Sequence, residues 1–148
     1  MAKKFLLVDA HNIIFARPEL AALHRRHPGA ARERLVQILE RYQDAAYTRV
    51  VVVFDGGAHA QSTSETSGPA GVQVMYPQAG QTADAIIEHL VLKYAEQHRL
   101  TVASNDNLVR TAAVAAGAST IDPDSLFDDI TRSEGDLREA LDRLRKKR

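Results

Sequence analysis

The chain has no cysteine in its 148 residues. That excludes a disulfide framework and a thiolate metal site, and it fits a reducing interior. Net charge is missing too, since 19 Lys and Arg balance 19 Asp and Glu. With no global field to attract a polyanion, any affinity for one has to come from local clusters. Nor is there an apolar run near the length a bilayer-spanning helix needs. Lys3 and Lys4 ahead of Phe5-Leu6-Leu7-Val8 faintly resemble the start of a signal peptide, but Asp9, His11 and Asn12 end that run too soon. The expectation is a cytoplasmic protein with no membrane partner. At 45% hydrophobic residues, the chain has material for one core of ordinary size.

Apolar periodicity alternates along the chain. Residues 4–8 read as a buried strand, followed by a polar turn and the Ile13-Ile14-Phe15 segment. Pro18 suits a helix's first turn, and 19–26 form a short helix that His27-Pro28-Gly29 interrupts. Leu35, Ile38, Leu39 and Tyr42 recur at helical spacing within 30–46. Residues 49–54 are a continuous β-branched run, the mark of a central parallel strand. The Gly, Ser and Thr-rich stretch 55–71 has no hydrophobic period and reads as a long loop. A strand at 72–76 follows, then a helix capped by Thr82 and running to about 98, and a strand at 100–103. An alanine-rich helix ends at Gly117, and 119–121 make a last strand. A short helix at 123–130 and a separate amphipathic helix from Ser133 complete the pattern. Such alternation predicts a parallel sheet covered on both faces. We expect one domain over 1–130, with 131–148 a basic amphipathic helix packed on it or extending from it.

Four acids mark the ends of these elements. Asp9 and Asp55 follow strands, and Asp84 and Asp106 stand where helices begin. Singly, three have ordinary explanations: a turn residue for Asp55, a helix-dipole partner for Asp84 and an N-cap for Asp106. Asp9, directly after Phe5-Leu6-Leu7-Val8, has no obvious structural task. Together they would bring carboxylates to one sheet edge, where mutual repulsion raises their pKa values unless a cation neutralises them. Hard divalent cations with oxygen ligands suit such a set, so a Mg²⁺ or Mn²⁺ site is expected. Loops at the carboxyl ends of strands are where open α/β sheets bind ligands. Glu88 shares a helical face with Asp84 and either extends the acidic site or pairs with Lys93 or Arg110. Asn12, Asn105 and Ser104 add neutral polar groups that can orient ligands or substrate.

The segments Leu7-Val8-Asp9-Ala10-His11-Asn12-Ile13-Ile14, Val51-Val52-Val53-Phe54-Asp55-Gly56-Gly57, Gly80-Gln81-Thr82-Ala83-Asp84 with Glu88, and Ala103-Ser104-Asn105-Asp106 resemble the ordered motifs of the NYN domain, nearest its YacP-like branch. The resemblance runs from about residue 4 to 127. It implies an α/β, PIN-like three-layer α/β/α domain with a mostly parallel central sheet of about five strands. It also implies a metal-dependent endoribonuclease that hydrolyses phosphodiester bonds in single-stranded RNA, in mRNA decay or RNA processing or on ribosome-bound mRNA. The family's aspartates correspond to Asp9, Asp84 and Asp106, with Asp55 after the second strand and Asn12 as the accompanying asparagine. On that basis Asp9, Asp84 and Asp106, with Asp55 bound or close by, hold one or two Mg²⁺ or Mn²⁺ ions. His11, Asn12, Ser104, Asn105, Glu88, Arg17 and Arg110 are the expected substrate contacts. His11 stands where a Tyr is frequent, Ser104-Asn105-Asp106 replaces Thr-Ser-Asp, and His59 is the one potentially cationic residue of the long loop.

Two other functions compete. A receiver domain phosphorylated on Asp55 also collects aspartates at a sheet edge, but it needs an acidic pair after its first strand and a lysine after a late one. The other is a non-catalytic RNA-binding module. Positive charge is concentrated in Arg17, Arg25, Arg26, Arg32 and Arg34, and in Arg143-Leu144-Arg145-Lys146-Lys147-Arg148.

Overall fold

In the computed structural model, residues 3–55, 64–66, 71–78 and 80–146 are described. The Phe5-Leu6-Leu7-Val8 run lies in strand β1 (Lys4–Asp9), which sits inside the sheet between β2 (Arg49–Val53) and β5 (Arg99–Ala103) and is parallel to both. β4 (Gln73–Met75) extends the sheet beyond β2, and β6 (Ser119–Ile121) extends it beyond β5, again in parallel. The expected sheet of about five parallel strands is therefore present. A sixth strand, β3 (Ser64–Thr66), pairs antiparallel with β4. It lies within the stretch expected to be loop. Three polar residues carry no hydrophobic period, so nothing in their sequence marks them as a strand.

Side chains alternate across β1 and fill two cores. Leu6 and Val8 join one cluster with Ile13, Ile14, Leu35, Leu39, Leu126 and Phe127, while Leu7 joins the other with Ile87, Val91, Val109 and Ala113. The first core is roofed by α1 (Ala10–Ala16), α2 (Pro18–Arg26), α3 (Pro28–Ala46) and α6 (Pro123–Lys146). α4 (Ala83–Tyr94) and α5 (Asn107–Ala115) roof the second. This is the three-layer, PIN-like α/β/α arrangement.

Helix boundaries differ from expectation in three places. His27 alone separates α2 from α3, since Pro28 and Gly29 form the first turn of α3, where a missing N–H costs nothing. α4 ends at Tyr94 rather than near residue 98, and His98 N–H closes the following turn on Tyr94 O. The two expected C-terminal helices are one, because α6 runs unbroken through 130–133. No proline interrupts that stretch. It is tied down by Tyr42 donating to Asp129, by an Arg132–Asp129 pair one turn apart and by an Arg41–Glu134 pair to α3.

Strand order fixes where a ligand would lie. Among the parallel strands the order β4-β2-β1-β5-β6 reverses direction between β1 and β5, and a doubly wound sheet binds ligands outside the carboxyl ends of the strands at that reversal. A receiver sheet has its second strand at an edge, next to the first. Here β2 lies between β1 and β4, so the receiver reading fails on topology. No helix among the described residues is long and apolar enough to cross a membrane.

Candidate functional site

β1 ends on Asp9 and β5 is followed by Ser104, so the reversal point brings these two residues side by side. Both are buried, and Ser104 donates its hydroxyl hydrogen to Asp9 Oδ2 at 2.9 Å. The same hydroxyl oxygen accepts the N–H of Asp106 at 3.1 Å. A second link crosses the seam where Asn12 Oδ1 accepts the N–H of Asn105 at 2.7 Å. Asn12 and Ser104, expected to touch substrate, are thus engaged in holding the β5–α5 loop against the end of β1. Ser104 has no solvent exposure.

The other carboxylates border this seam. Asp106 is the N-cap of α5, its Oδ1 accepting from Leu108 N and Val109 N at 2.8 and 3.4 Å. Its ordinary structural role is real, and it engages one oxygen. Thr82 caps α4 by accepting from Ala85 N, which puts Asp84 in the first turn. Asp55, half exposed, accepts from Ala83 N at 3.3 Å and faces His11 Nδ1 across 3.4 Å.

Charge couples the four. Burial pushes the Asp9 carboxyl up to about 6, against the favourable Ser104 bond, with Asp84, Asp55 and Asp106 adding repulsion. Asp84 is also raised, first by desolvation and then by Asp106 and Asp55. Each of the expected carboxylates is therefore within electrostatic reach of this centre. Among the described residues, however, no three acidic or histidine side chains form a ready chelating set. The donor chemistry suits a hard divalent cation, and the side chains would have to draw inward to hold it.

The remaining expected residues divide. Glu88 is exposed and, with Asp84, lines a shallow cleft between α4 and α5; among the described residues it has no ion pair with Lys93 or Arg110. Lys93 lies over the Tyr94 ring. Asn105 is exposed beside the seam. Arg17 stacks on Phe127 at 4.4 Å and pairs with Glu19, which fixes the α1–α2 corner to α6. Arg110 bears on Asp122, a carboxyl held below the usual range chiefly by the backbone N–H of Ser125. His59 lies outside the described residues.

Sequence reasoning missed an aromatic strip next to Asp55. His11 stacks with Phe15 at a 6.0 Å centroid distance, and Phe15 meets His24 edge-on at 4.9 Å. The signal was present: Phe15 follows His11 by one helical turn, on the side of α1 opposite the buried Ile13 and Ile14.

Comparison with known proteins matches this architecture. The model of the YacP-like NYN domain covers residues 6–148. The YacP protein of Bacillus subtilis (strain 168) is 36% identical over 89 residues, 57% of this chain and 49% of that protein. The aligned stretch is thus about half of that relative. The crystal structure of Rae1 (YacP) from Bacillus subtilis superimposes with a TM-score of 0.80 at 26% identity, covering 97% of this chain and 83% of that one. A tryptophan-to-leucine mutant of it gives 0.78 at 28% identity over 95% and 82%. With the motifs, the strand order and a family model spanning nearly its whole length in agreement, the chain belongs to the YacP-like NYN domain family.

Proposed function

We propose that this protein is a Mg²⁺- or Mn²⁺-dependent endoribonuclease that hydrolyses phosphodiester bonds in single-stranded RNA, acting in cytoplasmic mRNA decay or RNA processing, with ribosome-bound mRNA among its substrates. The family is one of nuclease-type domains, and the observation that carries the reading is the coupling of four carboxylates at the β1/β5 reversal, centred on a buried Asp9. A cluster that repels itself is poorly suited to a purely structural role and well suited to a cation.

Asp9, Asp84 and Asp106 would hold one or two ions, with Asp55 alongside. A bound ion supplies Lewis acidity at the scissile phosphate and lowers the pKa of the attacking water. The protein's own share is positional. Ser104 fixes the Asp9 carboxylate, and the Asn12–Asn105 bond fixes the loop that carries Asp106. Because Asp106 Oδ1 caps α5, Oδ2 is the oxygen left to face an ion. His11, facing Asp55 across 3.4 Å, would border the acidic centre on that side.

A second reading, a non-catalytic RNA-binding module, is favoured by the lack of a ready chelating set among the described residues. Incubation with end-labelled single-stranded RNA in Mn²⁺ or in EDTA separates the two. The nuclease reading expects metal-dependent internal cuts that disappear in Asp9→Asn and Asp84→Asn. RNA retained intact by a folded, Mn²⁺-loaded wild type would leave the binding module.

A further inference from the structure

Phe15 is the one phenylalanine of the chain that is open to solvent, 58% exposed, whereas Phe54 and Phe127 are buried and Phe5 is half-buried. Its neighbours show that it is more than a stray surface residue. Tyr76 stacks on Phe54 at 5.4 Å, Phe54 meets His11 edge-on at 6.0 Å, His11 stacks with Phe15, and Phe15 meets His24. Five rings thus form a continuous strip from the core to the surface. At its middle, His11 faces Asp55, one of the four coupled carboxylates. Arg25 and Arg26 follow His24 on the exposed last turn of α2, and the charge of Arg32 reaches His24. Among the described residues none of these three arginines has an ion pair with a carboxylate.

An open aromatic face flanked by unpaired cations, beginning at a carboxylate cluster, has the chemistry of a nucleobase platform. Bases stack on aromatic rings without regard to sequence, while arginines take the adjoining phosphates. A peptide or lipid would use the ring equally well, but it would not need both the cations beside it and the acidic centre behind it. We infer that Phe15, supported edge-on by His24 and stacked by His11, is a base-stacking site for a nucleotide flanking the carboxylate centre, with Arg25, Arg26 and Arg32 receiving the phosphates beyond it. This rests on the reading of the carboxylate edge as the place where an RNA strand lies. It assigns a reason for the chain to accept single strands, since a base stacked inside a duplex has no free face to offer.

The chain has no tryptophan, so Phe15→Trp creates a single indole reporter at the site. Binding is measured in EDTA, by anisotropy of a labelled oligouridylate and of an abasic strand of equal length, for wild type, Phe15→Ala and Phe15→Trp. Phe15→Ala is expected to bind the oligouridylate about ten- to a hundredfold more weakly, the range of one stacked base, with little change on the abasic strand. Phe15→Trp is expected to bind as wild type, with its emission quenched as the base-bearing strand saturates it. Unchanged affinity in Phe15→Ala, an equal loss on both strands, or an indole emission indifferent to bound RNA each overturns the inference. Because Phe15 is exposed, the alanine variant should fold, and unchanged far-UV circular dichroism checks this. A wild type that stacks the strand but never cuts it in Mn²⁺ supports the platform while sinking the nuclease reading. One that cuts, with Phe15→Ala binding normally, sinks the platform alone.

Discussion

Ser104 donates its hydroxyl hydrogen to Asp9 Oδ2 across the seam between β1 and β5, and both residues are buried. That bond favours the ionised carboxylate, while burial and three neighbouring acids oppose it. Ser104→Ala therefore pushes the Asp9 pKa further above 6. The acid limb of the kcat/KM profile for RNA cleavage is expected to move to higher pH, with activity recovering in alkaline buffer. A uniform loss at every pH would mean that Ser104 does not act through Asp9.

The same carboxyl sets a pH dependence for the metal-free fold. Its pKa is raised from 3.8 to about 6, so the folded state holds the proton more tightly than the unfolded one. Stability from this group is full below about 4 and is lost as pH rises through 6. Two pKa units correspond to roughly 3 kcal/mol. Asp9→Asn removes the effect: in EDTA at pH 7.5 its urea midpoint should exceed that of wild type, and near pH 4 the two should converge. A variant less stable than wild type at pH 7.5 would mean that burial and the neighbouring acids do not destabilise the ionised Asp9 carboxylate.

Much of this site was legible because it follows from strand ends. A short continuous apolar run such as Phe5-Leu6-Leu7-Val8, ended at once by polar residues, reads as interior strand, and the acid that terminates it then lies at the sheet edge. The motifs Val53-Phe54-Asp55 and Ala103-Ser104-Asn105-Asp106 are legible in the same way. What sequence could not show was partnership. Nothing in Asn12 or Ser104 reveals that the first accepts a backbone N–H from the facing loop, that the second donates to Asp9 across the seam, or that Arg17 spends its charge on Phe127 and Glu19. β3 was hidden because Ser64, Glu65 and Thr66 are polar, and α6 appeared as two helices because its apolar residues thin out after Ile130.

Addition of Mn²⁺ at pH 7.5 should raise the melting temperature of wild type by several degrees, since an ion bound only by the folded state at a hundred times its Kd contributes about 2.7 kcal/mol. The rise should shrink at pH 5.5, where protons compete with the ion at Asp9. Asp84→Asn and Asp106→Asn should each reduce it. An Mn²⁺ shift as large in Asp84→Asn as in wild type would remove Asp84 from the metal site.

Asn12→Ala leaves the Asn105 N–H without its partner. The loss of one such bond costs about 1 kcal/mol of stability. The larger effect should be on catalysis, because the freed loop carries both Ser104 and Asp106. A fall in kcat well beyond any change in KM is expected in single-turnover and steady-state assays. A change confined to KM would instead return Asn12 to direct contact with RNA.

The last expectation concerns capture, because a neutral chain with an acidic centre has to hold a polyanion at its periphery. Arg143, Arg145 and Lys146 are exposed on the final turn of α6, and Lys147 and Arg148 lie outside the described residues. Each phosphate that this segment neutralises adds roughly 0.7 to the slope of log affinity against log salt for a single strand. Deleting residues 145–148 should therefore weaken RNA binding and flatten the slope. Turnover of saturating RNA should stay near wild type, since groups that grip ground state and transition state alike act on binding and not on kcat. The measurement is a salt titration of affinity for full-length and truncated protein in EDTA. Identical slopes would shift the phosphate contacts to the arginines of α2 and α3, beside the aromatic strip.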